Sequence, residues 1–171
     1  MKKKMAALLA LVMVLAAVLC SCGGGDSNGN NSGNNSGSKS NDYYFKAGDV
    51  KVEMKADAEA VLKALGSYKS SYEAPSCAFD GMDKIYSYGG YDILTYTMDG
   101  KDFISGVVLR DDTVETPEGI AIGSKLDDVK KKYDAKEEGS SINVYSDNCR
   151  LLIIFDNGVV SSIQYIARNE K

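Results

Sequence analysis

The sequence predicts an α+β fold, a tandem α-β-β-β repeat whose short helices pack on an antiparallel sheet. Three observations carry this. Two amphipathic stretches, 54–66 and 122–133, superpose on one another, with Val61 matching Val129 and Leu65 matching Tyr133. Each stretch is followed by strand-like runs. At the same relative place in each set stands a two-residue hairpin signal, Asp99-Gly100 and then Asn157-Gly158. Such pairs supply the positive φ that both central positions of a type I′ turn demand.

The chain opens with Met1-Lys2-Lys3-Lys4, continues through an apolar stretch from Met5 to Leu19, and reaches Leu19-Cys20-Ser21-Cys22-Gly23. A charged start followed by about 15 apolar residues is too short to span a hydrocarbon core about 30 Å thick, and reads as a signal peptide over residues 1–21. Leu19 and Ser21 before Cys22 form a lipobox, so cleavage is expected between Ser21 and Cys22 and acylation on Cys22. Cys20 is the poorer candidate because Leu19 would stand where a small residue is wanted. A cysteine carrying several acyl chains adds ~0.8 kcal/mol per buried methylene, enough for stable anchoring. The membrane, reached through that lipid on its extracytoplasmic face, is the first expected partner.

Residues 22–42 follow as a Gly/Ser/Asn tether in which Asp26 and Lys39 are the only charges before Asp42. With no apolar side chain to bury, it has the composition of a flexible coil, and about 20 such residues reach ~25 Å. Residues 43–171 are long enough for one domain with its own core. Within it the two repeats are expected over about 50–112 and 117–168. Loss of the signal removes three lysines and no acid, which takes the formal charge from −4 to −7. An acidic surface excludes nucleic acid as a partner and leaves adhesion to the lipid anchor.

In the first repeat, the helix of 54–66 ends at the C-cap Gly66; strands are expected at Lys84–Tyr88, Tyr91–Met98 and Phe103–Leu109. The link before them is the longer one and holds Pro75 and Cys77. In the second, Ser124 and Asp127 form a capping box for a helix of about three turns, whose Leu126, Val129 and Tyr133 share a face. Its strands are expected at Ile142–Tyr145, Arg150–Phe155 and Val159–Ala167. The helix residues Val61, Leu65, Val129 and Tyr133 should pack on Leu94, Ile153, Phe155 and Ile163. Tyr43 to Val52 stands open as a further edge strand.

The segment 116–133, Thr-Pro-Glu-Gly-Ile-Ala-Ile-Gly-Ser-Lys-Leu-Asp-Asp-Val-Lys-Lys-Lys-Tyr, resembles the helix-opening motif of the small outer-membrane-assembly lipoproteins and of the tandem-repeat β-lactamase-inhibitor proteins. Together with Ser76-Cys77-Ala78-Phe79-Asp80-Gly81-Met82-Asp83-Lys84-Ile85-Tyr86 it also resembles a group of Gram-positive lipoproteins over most of residues 70–166. The resemblance implies a tandem α/β fold and, through the inhibitors, a partner that is itself a secreted enzyme. Asp134 departs from the pattern, which has glycine after the position of Tyr133.

Chemistry is scarce in this sequence. It contains no histidine, which removes Ser-His and Cys-His nucleophilic pairs and the commonest zinc ligand. Gly119 to Lys125 echoes a phosphate loop but has three residues between its glycines and no glycine before the lysine, so it reads as a helix start. Asp111-Asp112 and Asp127-Asp128 fit no calcium-loop spacing; a turn and a helix N-terminus account for them. No catalytic residue, metal site or cofactor is therefore expected. Carboxylates acting alone on a glycan are the enzymatic alternative, and need two acids about 5 to 9.5 Å apart in a cleft.

Two features suit binding. Tyr68, Tyr72, Tyr86, Tyr88, Tyr91 and Tyr96 crowd the first repeat, and Tyr86, Tyr88 and Tyr96 are the candidate binding face for an envelope or secreted protein. Ordinary cross-strand aromatic pairing accounts for the same residues, so both readings stand. Cys77 and Cys149 form an even pair that a disulfide could join, or two separate thiols.

Overall fold

The computed structural model describes residues 42–78 and 80–168, all within one compact unit. Signal peptide, Ser21, Cys22 and most of the tether lie outside the described residues. The fold is α+β and mostly antiparallel sheet. Its framework is one eight-stranded sheet in the order β3-β4-β5-β6-β10-β9-β8-β7, formed by Ser70–Pro75, Met82–Ser87, Tyr91–Met98, Lys101–Leu109, Val159–Ala167, Cys149–Asp156, Ser141–Tyr145 and Glu137–Glu138. The outermost strands β3 and β7 were not among the expected ones. Tyr43 to Val52 does not extend this sheet: β1 (Phe45–Ala47) and β2 (Val50–Val52) pair with each other as a separate hairpin.

The two turns form as their sequences require, with Asp99 and Gly100 at φ 52° and 75° and Asn157 and Gly158 at 51° and 79°. Beyond each turn comes a bulge. Thr95 pairs Ile104 but Leu94 pairs Gly106, which leaves Ser105 over; Phe155 pairs Val160 but Ile154 pairs Ser162, which leaves Ser161 over. The residue before each bulge clasps the chain entering a helix. Lys55 N–H donates to Ile104 O and Ile104 N–H to Ala56 O; Gly123 N–H donates to Val160 O and Val160 N–H to Ser124 O. Where the two halves of the sheet meet, Leu109 pairs Ile163, Val108 pairs Gln164 and Val107 pairs Tyr165.

The helices are shorter than expected, α1 spanning Ala58–Leu65 and α2 Leu126–Tyr133. Gly66 does cap α1, its N–H reaching Leu62 O at φ 77°. The capping box at α2 does not form. Lys125 is the N-cap residue and makes no side-chain cap, while the Ser124 hydroxyl accepts from Ala121 N–H at 3.1 Å. The Leu126 N–H is satisfied instead by the carbonyl of Gly158 in the hairpin turn, at 3.0 Å. Asp134, in the place of the expected glycine, adopts the left-handed conformation at φ 45° and ψ 43°.

Both helices and the β1-β2 hairpin contribute to a core that the sheet backs from one side. Phe45, Ile93, Ile104, Val107, Val129, Leu151, Ile153 and Ile163 are fully buried there. Of the predicted sheet core, Ile153, Phe155 and Ile163 are buried, but Leu94 is not: it neighbours Ile93, which faces the core, so its side chain points the other way.

Candidate functional site

Since side chains alternate along a strand, the residues between the core positions form a second face. On β9 the core takes Leu151, Ile153 and Phe155, so Arg150, Leu152 and Ile154 face outward; Gln164 and Ile166 do so on β10, Val108 on β6, Leu94 and Tyr96 on β5, and Ile85 on β4. Among the described residues no helix or hairpin lies over this face. Its aliphatic residues Ile85, Leu94, Val108, Leu152, Ile154 and Ile166 are half-buried by their neighbours, and none of them belongs to the core or packs against it. One sheet therefore has a covered face and a bare one, and the bare one mixes these aliphatic side chains with polar ones, Gln164 standing between Leu152 and Val108 and donating to Ser162 Oγ at 3.2 Å.

The continuous run Leu151-Leu152-Ile153-Ile154-Phe155 carries the same message, because strands with both faces covered read as unbroken apolar stretches. That run is the signal of a second apolar-bearing face present in the sequence. Further polar groups stand on the bare face and around it. The Arg110 Nε donates to Asp92 Oδ2 at 2.7 Å, with Nη2 on the same oxygen; the Arg168 guanidinium lies 5.5 Å from the centre of the Tyr145 ring; and Asn143 Nδ2 donates to Glu138 Oε2 at 3.0 Å. Tyr145 itself is 54% exposed.

The tyrosines singled out by sequence do not form one face. Tyr86 pairs Ile93 and so points to the covered side, where its ring stands 5.1 Å from Tyr68. Tyr88 joins it there. Its ring stacks on Tyr91 at 5.2 Å and its hydroxyl donates to Gly66 O at 3.3 Å, tying the sheet to the end of α1. Burial pushes the phenols of Tyr86, Tyr88 and Tyr91 above their ordinary range, so they stay protonated around neutral pH. Tyr96, three residues from Ile93, points to the bare side and packs on Phe103 at 5.7 Å. The proposed face of Tyr86, Tyr88 and Tyr96 is thus split between opposite sides of the sheet.

No disulfide joins Cys77 to Cys149; both are free, Cys77 exposed and Cys149 buried. The sheet order explains this. Cys77 follows the outer strand β3 while Cys149 opens β9, and five strand spacings of about 4.8 Å lie between those strands, far beyond disulfide reach. Burial pushes the Cys149 thiol up to about 11, so it is a neutral, inert group at physiological pH.

The remaining candidates resolve into structural roles. Asp111 Oδ1 accepts from Thr113 N–H at 2.9 Å within a turn, and Asp127 and Asp128 sit exposed in the first turn of α2. Tyr133 buries its ring, donates its hydroxyl proton to Glu118 Oε2 at 2.7 Å and accepts from the Thr116 hydroxyl at 2.8 Å, locking the segment 116–120 to α2. A cleft of about 740 Å³ opens beside the N-terminus of α1, lined by Asp57, Leu62, Tyr86 and the Lys84–Asp102 ion pair. Among the described residues no group of three or more His, Cys, Asp or Glu could hold a metal ion, and no helix is long and apolar enough to cross a membrane. Comparison with family models, curated proteins and solved structures finds no match for this chain.

Proposed function

We propose that this chain is a lipoprotein held on the extracytoplasmic side of the cell membrane through Cys22, and that it acts as a non-catalytic binding module. The bare face of its sheet, with six aliphatic side chains that nothing among the described residues covers, is the contact surface, and that face is the observation that carries the reading. A monomeric soluble domain rarely leaves a contiguous apolar surface uncovered unless something docks there. The tether of 22–42 would let the domain present that face away from the lipid. The paired clasps, the paired bulges and the mirrored strand order support a tandem duplication as its origin, with β4 to β6 corresponding to β8 to β10.

The partner on this reading is an envelope or secreted protein. Inhibition of a secreted enzyme is the same reading with the partner specified, and the resemblance of residues 116–133 favours including a panel of secreted hydrolases in any screen. Photo-crosslinkers placed at Leu152 and at Lys131, an exposed position on α2, test the surface in the native envelope. Adducts should form from position 152 and not from 131. Equal adducts from both, or adducts from 131 alone, would remove the bare face as the contact surface.

A further inference from the structure

The distribution of cations over the sheet bears on what the bare face contacts, an inference that rests on the reading just given. The sequence holds three arginines, Arg110, Arg150 and Arg168. Register and contacts put all of them on the bare side. Arg150 neighbours the core residue Leu151 and is paired with outward Tyr145; Arg168 follows outward Ile166 by two residues and lies over that same tyrosine; Arg110 follows outward Val108 by two and holds outward Asp92. Like Arg110, several lysines hold a carboxylate of this chain: Lys46, Lys51, Lys84 and Lys130 pair with Asp49, Glu53, Asp102 and Glu137.

Arginine and lysine differ in what they suit. A guanidinium is planar, weakly hydrated, stacks on aromatic rings and grips a carboxylate with two parallel bonds, whereas an ammonium holds its water. Protein contact surfaces are accordingly enriched in arginine and tyrosine and depleted in lysine. Of the three arginines, Arg110 is already committed to Asp92. Among the described residues Arg150 makes no ion pair, and the Arg168 guanidinium donates to a neutral carbonyl, that of Ser146, and not to a carboxylate. Their corner borders the aliphatic patch of Leu152, Ile154 and Ile166, since Arg150 pairs Ile166 directly.

We propose that Tyr145, Arg150 and Arg168 form a carboxylate-recognition corner, and that the occupant of the bare face is a protein surface carrying an acidic side chain beside apolar ones. A polyanion fits less well, because it needs a continuous cationic track, and here the uncharged row Leu152, Gln164 and Val108 separates Arg110 from the other two in a chain of net negative charge.

The test uses the full chain in detergent, panned against a phage-displayed library of random dodecapeptides. Enriched peptides should carry Asp or Glu next to aromatic or aliphatic residues. Their affinity should fall at least about tenfold in the Arg150→Gln/Arg168→Gln variant, recover only in part in Arg150→Lys/Arg168→Lys, vanish in Leu152→Glu and hold in Lys131→Gln. Circular dichroism and thermal midpoints confirm that each variant is folded. Peptides lost in Leu152→Glu but free of acids and indifferent to the arginine changes would overturn the carboxylate corner while leaving the bare face as the contact surface. Peptides indifferent to all variants, or no enrichment at all, would overturn both. Displacement of the peptides by inorganic polyphosphate that binds through the same arginines would assign the corner to a polyanion. A dimer that Leu152→Glu dissociates would assign the face to a second copy. Either result overturns the proposal.

Discussion

In the half of the sheet served by α2, the helix sinks Val129 and Tyr133 into the core; in the half served by α1, Ala58 and Val61 go under while Leu65, the counterpart of Tyr133, stays half-buried. The frame is the same in both. A strand residue just before a bulge clasps the chain entering each helix, and the two bulged hairpins meet along β6 and β10. What differs is the filling. Phe155 sits at the bulge pair of one half where Thr95 sits in the other, and the α1 half closes its shallower side with a row of tyrosines. Backbone pairing sets where a helix enters, and side-chain volume sets how deep it goes.

The largest expected effect separates the two helices. Tyr133→Ala removes a buried ring, its edge contact with Tyr43 at 5.9 Å and two hydrogen bonds, and should cost about 3–5 kcal/mol. Leu65→Ala, at the matching position of α1, should cost about 1–2 kcal/mol because that side chain is only half-buried. Urea unfolding of both variants measures the difference. Equal losses would mean that the two helices are seated to the same depth, and the contrast drawn between the halves would fail.

The core position of Thr95 should be improvable. Its hydroxyl is buried with no partner among the described residues, where half two has an aromatic ring. An unsatisfied buried polar group costs about 1–3 kcal/mol, so Thr95→Val should raise stability by about 1 kcal/mol. A thermal midpoint that falls would show that the hydroxyl is needed where it stands.

The helix ends offer a smaller contrast. Asp57 caps α1 by accepting from Ala60 N–H at 3.1 Å, and Asp57→Ala should cost about 1 kcal/mol. Lys125 provides α2 with no cap, so Lys125→Ser should gain about 0.5 kcal/mol. At the other end of α2, Asp134→Gly should gain about 0.5–1 kcal/mol, because glycine takes the left-handed conformation without a Cβ penalty. Thermal unfolding of the three variants checks the signs, and a loss in either α2 variant would contradict the assignment of an uncapped, strained helix.

These contrasts also show what could be read from the sequence. The hairpins were legible because Asp-Gly and Asn-Gly leave a chain few alternatives, and β5 and β10 occupy the residues expected of them. The capping box was not, since Ser124-x-x-Asp127 is a local pattern and the carbonyl that serves Leu126 comes from Gly158, distant in sequence. The outer strand β3 escaped because its residues, Ser70 to Pro75, are mostly polar and exposed. The candidate surface was only half legible. Alternation told which residues share a side, but counting tyrosines rather than tracing parity from Ile93 joined Tyr86 to Tyr96 across the sheet. The three arginines, scattered at 110, 150 and 168, are seen to share one side of the sheet only once β6, β9 and β10 are placed side by side.

An effect as small as those at the helix ends sits in a part of half one that half two lacks. The β5-β6 hairpin runs on from its bulge through Tyr96↔Phe103, Thr97↔Asp102 and Met98↔Lys101, whereas the β9-β10 hairpin turns after Asp156↔Val159. In that extension Lys84 Nζ lies 2.6 Å from Asp102 Oδ2, and Thr97 donates to Asp102 Oδ1 at 2.6 Å. Burial alone would raise the Asp102 carboxyl, but the hydrogen bonds from Lys84 and Thr97 outweigh it and hold it below the usual carboxylate range; the bond to Asp102 raises Lys84 against its own burial. With its folded pKa depressed, Asp102 contributes stability that is complete above the unfolded value of about 3.9 and disappears as pH falls through the folded one. Lys84, raised, contributes below its unfolded value of about 10.4 and ceases to do so as pH rises through the folded one. Lys84→Met should therefore cost about 0.5–1 kcal/mol near pH 7, with the gap to the wild-type chain narrowing below about pH 4 and again above about pH 10. Urea midpoints across that range measure it, and a gap that stays constant with pH would show that Lys84 acts through the packing of its stem and not through its charge.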